Sequence, residues 1–106
     1  MSSRLQRVQL SSGITDMPVI KRVVLDVLKP HQPNALEFAS AIAGQHDGCL
    51  IRITVIEVDE KTESTLLEVQ GEDVPYDDIV ETIKSLGASV HSIDEVEVSS
   101  AGQATD

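Results

Sequence analysis

Aromatic residues are nearly absent from this chain of 106 residues: they make up 2% of it, and there is no tryptophan. Proteins that bind single-stranded nucleic acid without sequence preference stack the bases on aromatic side chains. The two aromatic residues here, Phe38 and Tyr76, cannot form such a platform. Hydrophobic residues still make up 41% of the chain, which is enough for one small domain with an aliphatic core.

Basic residues are also few, with 8 Lys and Arg against 18 Asp and Glu and a formal net charge of −10. A protein that binds duplex nucleic acid needs a Lys and Arg surface that displaces counterions. We therefore expect no nucleic acid and no anionic membrane among the partners, and we expect divalent cations as natural small ligands. An acidic surface also keeps a protein hydrated in a salt-rich cytoplasm, so no carboxylate indicates binding by itself.

Cys49 is the single cysteine, which excludes an internal disulfide bond and leaves no Cys/His pair with zinc spacing. No apolar run approaches the roughly 20 residues of a membrane-spanning helix. Residues 1–17 lack the hydrophobic segment of an export signal. These absences predict a cytoplasmic protein.

The chain divides into three parts. Residues 1–18 are polar and show no sustained periodicity, so we expect a flexible leader. Residues 99–106 are rich in Ser, Gly, Ala and Thr, so we expect a flexible tail. Residues 19–98 carry the alternation and the turn signals of one folded domain.

Four strands and two helices are predicted within this domain. Asn34 begins the first helix with a capping box that Glu37 completes, and Pro75 lies at the first turn of the second. The order β-α-β-β-α-β predicts a ferredoxin-like α+β fold, in which a four-stranded antiparallel sheet carries both helices on one face. We expect the first and third strands to be central. Alternating, β-branched patterns indicate the strands over 20–28, 50–59, 63–70 and 89–98.

The face of the sheet without helices, which we call the open face, is expected to be of mixed character. Arg22, Val24 and Asp26 on the first strand alternate with core residues, and Ile56 and Val58 do so on the second. A mixed face and two long edge strands favour burial against a second copy of the chain. A monomer with scattered aliphatic side chains on its surface is the alternative.

One edge of the predicted sheet collects acidic side chains and two histidines. Carboxylates in such proximity repel one another unless a positive charge lies among them. Calcium is one solution, because it accepts many oxygen ligands in tolerant geometry. The ammonium groups of Lys29 and Lys61 are the other. We call this group the acidic rim, and its members are Asp26, at the end of the first strand, Glu57, Asp59, Glu63, His31 and His91.

Asp94, Glu95 and Glu97 form a second acidic group on the last strand. Successive residues of a strand face opposite ways, so Asp94 and Glu95 do not share a pocket in their own subunit. Either side chain can reach a neighbouring subunit, where a shared cation favours assembly by binding only the associated state. Charges on an edge strand also prevent aggregation, and the sequence leaves both interpretations open.

Three segments, 24–31, 53–59 with Glu63, and 91–96, resemble an archaeal family of domains of unknown function, the one numbered 211. The motifs are Leu-Asp-x-Leu-Lys-Pro-His and His-Ser-x-Asp-Glu-Val, and the resemblance covers roughly residues 18–98. It implies a ferredoxin-like fold, homo-oligomeric rings or filaments, association with calcium, and no enzymatic activity. The acidity of the chain is similar to that of a halophilic archaeal member.

The resulting hypothesis is a non-enzymatic calcium-binding protein that self-assembles into homo-oligomers or filaments through its sheet face and edges. The turn at residues 29–34 also resembles that of ACT regulatory domains, so a small-molecule-sensing domain is the alternative. A third hypothesis is an enzyme that uses His31 and His91 as acid and base. The candidate calcium ligands are Asp26, Glu57, Asp59, Glu63, Asp94 and Glu95.

Overall fold

The computed structural model describes residues 18–100 and has the expected ferredoxin-like α+β fold. The antiparallel sheet has the strand order β2-β3-β1-β4, so β1 and β3 are central, as predicted. The predicted leader and tail lie outside the described residues, apart from Pro18, Ser99 and Ser100. The elements are β1 (Val19–Pro30), α1 (Ala35–Gln45), β2 (Leu50–Val58), β3 (Thr62–Gln70), α2 (Tyr76–Ser85) and β4 (Ser89–Ser99).

Local sequence explains where the helices begin and end. The Glu37 backbone N–H donates to Asn34 Oδ1 at 2.8 Å, and the Asn34 N–H donates to Glu37 Oε1 at 3.1 Å, which completes the predicted capping box. Gly87, with a φ of 87°, turns the chain from α2 into β4. Neither helix of the described residues has the length and hydrophobicity that crossing a membrane requires.

The core lies between the two helices and one face of the sheet. Alternate residues of β1 and β3 point into it, as the period of a half-buried strand requires. Phe38 is the only aromatic side chain among the buried hydrophobic residues. The fully buried aliphatic side chains are Val23, Leu25, Val27, Ile42, Leu67, Val69, Ile79 and Ile83.

The pairing of β2 with β3 is irregular near the end of β2, and this changes which residues share a face. The register shifts before Glu57, so that Glu57 pairs with Ser64 and Val58 pairs with Glu63. Cross-strand partners lie on the same face. The prediction that Val58 joins Ile56 on the open face is therefore wrong, because an extra residue in a strand reverses the alternation that follows it.

β4 contains two similar irregularities against β1. Ser92 pairs with Asp26 and Ile93 with Leu25, while His91 and Asp94 are the extra residues at two of the three register shifts between these strands. At the third shift the extra residue is Lys21 of β1. A bulge bends its strand and redirects the side chains at the extra position. The side chains of His91 and Asp94 are both exposed.

Candidate functional site

Asp26 lies in the middle of β1 and not at its end. It pairs with Leu66 on β3 and with Ser92 on β4, on the open face, and its side chain is half-buried. The prediction that it belongs to the acidic rim is wrong, because pairing with β3 continues through Lys29 to Pro30. β1 therefore continues through Lys29 and ends at Pro30.

Lys29 is a buried ammonium group that the structure pairs with Glu63. The Lys29 side chain is fully buried, and Nζ donates to Glu63 Oε1 at 2.9 Å and to the Pro30 carbonyl at 2.8 Å. Nζ also lies 5.9 Å from the centroid of the Phe38 ring, close enough for a cation–π attraction. A buried charge persists only when it is paired. Glu63 therefore compensates the charge of a buried lysine. Of Lys29 and Lys61, the two lysines considered from the sequence, Lys29 is the one that pairs with it.

His31 forms a hydrogen bond with the second carboxylate oxygen of Glu63. Its Nδ1 lies 3.1 Å from Glu63 Oε2, and its Nε2 lies 2.9 Å from the carbonyl oxygen of Glu60. Both partners are acceptors only, so both hydrogen bonds form together only when the ring carries two protons. Accordingly, Glu63 and then the Glu60 carbonyl raise the pKa of His31, while Lys29 and then His31 lower the pKa of Glu63. We call Lys29, His31 and Glu63 the Glu63 cluster.

The Glu63 cluster predicts how stability depends on pH. Because the pKa of His31 is raised in the folded state, its protonation contributes fully below its ordinary pKa of 6.5 and is lost as the pH rises through the folded-state pKa. Because the pKa of Glu63 is lowered, its contribution is present above 4.5 and is lost as the pH falls through the folded-state pKa. The free energy of unfolding is therefore expected to be highest between about pH 4.5 and 6.5 and to decline at lower and at higher pH.

Urea unfolding between about pH 5.5 and 8.5 tests the alkaline side, where histidine titrates. We expect His31→Gln to abolish the decline in stability that the wild type shows as the pH rises. His91→Gln is the matched control, since His91 is exposed on β4, and it should retain the decline. A decline of the same steepness in His31→Gln and in the wild type contradicts the prediction.

Glu57 and Asp59 lie at the end of β2, and both side chains are exposed. Glu57 is on the open face beside Ser64, and the Asp59 N–H donates to the Thr62 carbonyl at 2.8 Å and closes the hairpin. Within residues 18–100, the structure shows no ion pair for either carboxylate. These two carboxylates are therefore available to a partner outside their own subunit.

Arg22 gathers acidic side chains from both neighbouring strands on the open face. Its Nε lies 2.6 Å from Glu68 Oε2 on β3, and its Nη1 lies 2.8 Å from Glu95 Oε1 on β4. Glu97 Oε2 is 3.6 Å from the same Nη1. The hydrogen bonds to Glu68 and then Glu95 raise the pKa of Arg22 further above its ordinary value. Glu95, a candidate calcium ligand, is thus held by an arginine of its own subunit.

Asp94 is the remaining candidate ligand and projects from its bulge in β4. Its Oδ1 accepts a hydrogen bond from the hydroxyl of Ser92 at 2.7 Å. In the described part of the chain, no three His, Cys, Asp or Glu side chains are grouped so that they could hold a metal ion. Among the described residues the candidate ligands therefore lie apart from one another, whereas calcium takes six to eight oxygen ligands.

The turn after β1 is closed by its own hydrogen bonds. His31 binds the β2–β3 hairpin, and Asn34 caps α1. A cleft of about 410 Å³ lies at the opposite end of the sheet, where Lys21 and Leu50 contribute to its lining. Its Lys21 ammonium already donates to the Glu72 carbonyl at 2.8 Å. Neither feature favours the ACT-like alternative.

Exposed hydrophobic side chains are concentrated on the edge strands, which the sequence indicated only in part. Seven of the eight large ones within residues 18–100 lie on β2 or β4, and the eighth, Leu36, lies on α1. Clusters of exposed apolar side chains mark interaction surfaces more often than scattered ones do. Those on β2 are Leu50, Val55, Ile56 and Val58, and those on β4 are Ile93, Val96 and Val98.

Comparison with known proteins agrees with the family that the motifs indicated. The model of the DUF211 family, described as an uncharacterized ArCR family, matches residues 21–103. The uncharacterized protein MJ0319 of Methanocaldococcus jannaschii is 42% identical over 77 residues, which cover 73% of this chain and 79% of that protein. By both measures, this chain belongs to the DUF211 family.

Proposed function

We propose that this chain is a non-enzymatic cytoplasmic protein that self-assembles through its edge strands, with calcium ions shared between carboxylates of neighbouring copies. The observation that carries the proposal is the concentration of exposed large hydrophobic side chains on β2 and β4. An edge strand also presents unpaired backbone N–H and C=O groups. Pairing with a second copy of the chain would bury the hydrophobic side chains and supply hydrogen-bond partners for the backbone groups.

β2 is the less protected of the two edges. It contains neither lysine nor proline, the residues that most often block edge pairing, and it has a single register shift. The pairing of β4 with β1 has three register shifts, and β4 carries Asp94, Glu95 and Glu97. Pairing of β2 with β2 of a second copy is therefore the contact that we favour.

Net charge opposes this contact, and calcium offsets the opposition. Each copy has a formal charge of −10, so two copies repel each other at low ionic strength. Glu63 and Glu95 are held by cations of their own chain, and Asp94 lies on β4, the opposite edge strand. Glu57 and Asp59 are thus the exposed candidates at the favoured contact. Because no three such side chains are grouped within the described part of the chain, the proposal places each ion between two copies. Calcium binding and assembly are then coupled.

Sedimentation velocity with added calcium, and then with a chelator, tests the proposal. We expect a larger species with calcium and a return to the smaller one with the chelator. The experiment should be done at about 1 M salt, the condition of a salt-loaded cytoplasm. At this ionic strength the Debye length is roughly 3 Å, so general charge repulsion is screened and a calcium effect reports specific binding. Magnesium should act more weakly, since it demands regular octahedral geometry.

Asp59→Asn, at the end of the pairing edge β2, should raise the calcium concentration at the midpoint of assembly by about tenfold, the equivalent of ~1.4 kcal/mol. Asp77→Asn removes the same charge from the exposed first turn of α2 and should leave the midpoint unchanged. Equal midpoints in the two variants remove Asp59 from the site. A wild type whose size does not respond to calcium ends the calcium part of the proposal.

A further inference from the structure

Arg52 differs from the other basic side chains of the sheet. Among the Lys and Arg residues on the four strands of residues 18–100, it is the one for which the structure shows no ion pair. Arg52 lies opposite Glu68 on the open face, but the Glu68 carboxylate already accepts from Arg22 Nε at 2.6 Å. The exposed Arg52 guanidinium is therefore available to a carboxylate outside its own subunit.

β2 carries a matching carboxylate. Its nine residues include one basic and one acidic side chain, Arg52 and Glu57, so this edge strand is neutral in a chain of formal charge −10. Both side chains are exposed, and both lie on the open face, since their partners on β3 are Glu68 and Ser64. Two copies of β2 therefore present complementary charges to each other.

A two-fold axis brings these charges together. Antiparallel pairing of β2 with β2 of a second copy makes a self-complementary contact, in which each half of the strand meets the other half. Ile56 is the extra residue of the bulge in β2 and has no partner on β3. With the axis at Thr54 and Ile56 passed over in the same way, Arg52 lies directly opposite Glu57 of the second copy. An axis at Arg52 would instead oppose two like charges, which is unfavourable.

The apolar residues of β2 match in the same register. On the helix side of the sheet, Ile53 then pairs with Val55 of the second copy and Ile51 pairs with Val58. Ile51 and Ile53 pack against the core, whereas Val55 and Val58 are 39% and 64% exposed. One register thus satisfies both faces of the strand, because the bulge restores the alternation that it interrupts.

We propose that Arg52 determines how two copies pair along β2, by forming an ion pair with Glu57 of the second copy twice in each symmetric contact. The inference rests on the proposed function, since it requires β2 to pair with β2, and it adds the symmetry, the register and the residues that specify them. With Glu57 engaged in this way, Asp59 is the candidate at this contact that is left for calcium.

Charge reversal tests the ion pair. Arg52→Glu, Glu57→Arg and their equimolar mixture are compared with the wild type by sedimentation equilibrium in calcium at about 0.1 M salt, where charges interact over ~10 Å. We expect each variant alone to associate at least about tenfold more weakly than the wild type, because both contacts then oppose like charges. The mixture should associate within about threefold of the wild type, since one copy of each variant restores both ion pairs.

Glu81→Arg, on the exposed side of α2, is the matched control for Glu57→Arg. The two substitutions change the net charge equally, so both reduce general repulsion between copies. Glu81→Arg should therefore associate at least as tightly as the wild type, whereas Glu57→Arg should associate more weakly. Urea unfolding of each variant verifies that the fold is retained.

Variants that associate as tightly as the wild type overturn the ion pair. A mixture that associates no more tightly than its two components also overturns it, and this is the result expected if Glu57 acts only as a calcium ligand or if β2 pairs with β4. Failure of the proposed function has a different signature. A wild type that sediments as a single molecule at all protein and calcium concentrations ends self-assembly, and the ion pair with it.

Discussion

Replacing Lys29 by methionine should lower the free energy of unfolding by about 3 kcal/mol, the usual cost of removing one partner of a buried ion pair. Methionine has a similar length but cannot donate to Glu63 or to the Pro30 carbonyl, both of which Lys29 now satisfies. For a domain of this size, such a loss corresponds to a fall in Tm of roughly 10–20 °C. Thermal and urea unfolding measure the effect.

Two further variants show whether the ion pair is the cause. Lys84→Met, in the exposed last turn of α2, should change the free energy of unfolding by less than ~0.5 kcal/mol. Lys29→Met combined with Glu63→Leu should be more stable than Lys29→Met alone, because no uncompensated charge is left in the interior. A double variant that is less stable than Lys29→Met would show that lost packing, and not the unpaired Glu63 carboxylate, explains the cost.

Ile56→Lys on β2 should weaken self-association by at least about tenfold, or ~1.4 kcal/mol. Ile56 is 59% exposed on an edge strand, and a lysine there blocks pairing because its charge would have to be buried between two sheets. Stability of the single subunit should barely change, since surface substitutions usually stay within about 0.5 kcal/mol. Sedimentation equilibrium over a range of protein concentrations measures the dissociation constant.

Leu36→Lys on α1 is the matched control for this prediction. Leu36 is 75% exposed, and its replacement adds the same charge to a chain of net charge −10. Any general reduction of repulsion is therefore common to both variants, and the difference between them reports the edge strand alone. Equal dissociation constants for Ile56→Lys and Leu36→Lys would exclude β2 as the assembling edge.

Lys29 shows which part of the candidate site could have been predicted from the sequence. It stands two residues after Val27 and four after Leu25, in the same alternating series of β1 that fills the core. That spacing alone places its side chain on the buried face. The expectation that the strand ends before Pro30 concealed this, because proline is rare inside strands. Continued pairing of Pro30 with Thr62 keeps Lys29 inside the sheet.

Bulges limited how well the sequence could predict the positions of the acidic side chains. Nothing in the composition near Glu57, His91 or Asp94 marks an extra residue, since a register shift depends on how two distant strands meet. The contacts of Arg22 with Glu68 and Glu95 depend on the same distant pairing. The sequence therefore could not assign the partners of these charged residues.

By itself, the sequence determined the order of strands and helices, the capping box at Asn34 and Glu37, the aliphatic core and the family. These follow from patterns among residues close together in the chain, because the periodicity of side chains in helices and strands and the capping of helix ends are local properties of the backbone. Only the tertiary structure decided that Glu63 pairs with Lys29, that Asp26 lies within the sheet, and that seven of the eight large exposed hydrophobic side chains of the described residues lie on the edge strands. Charge pairing and burial depend on residues far apart in the chain: the Lys29–Glu63 and Arg22–Glu95 contacts join residues 34 and 73 positions apart. Such contacts exist only once the sheet has formed.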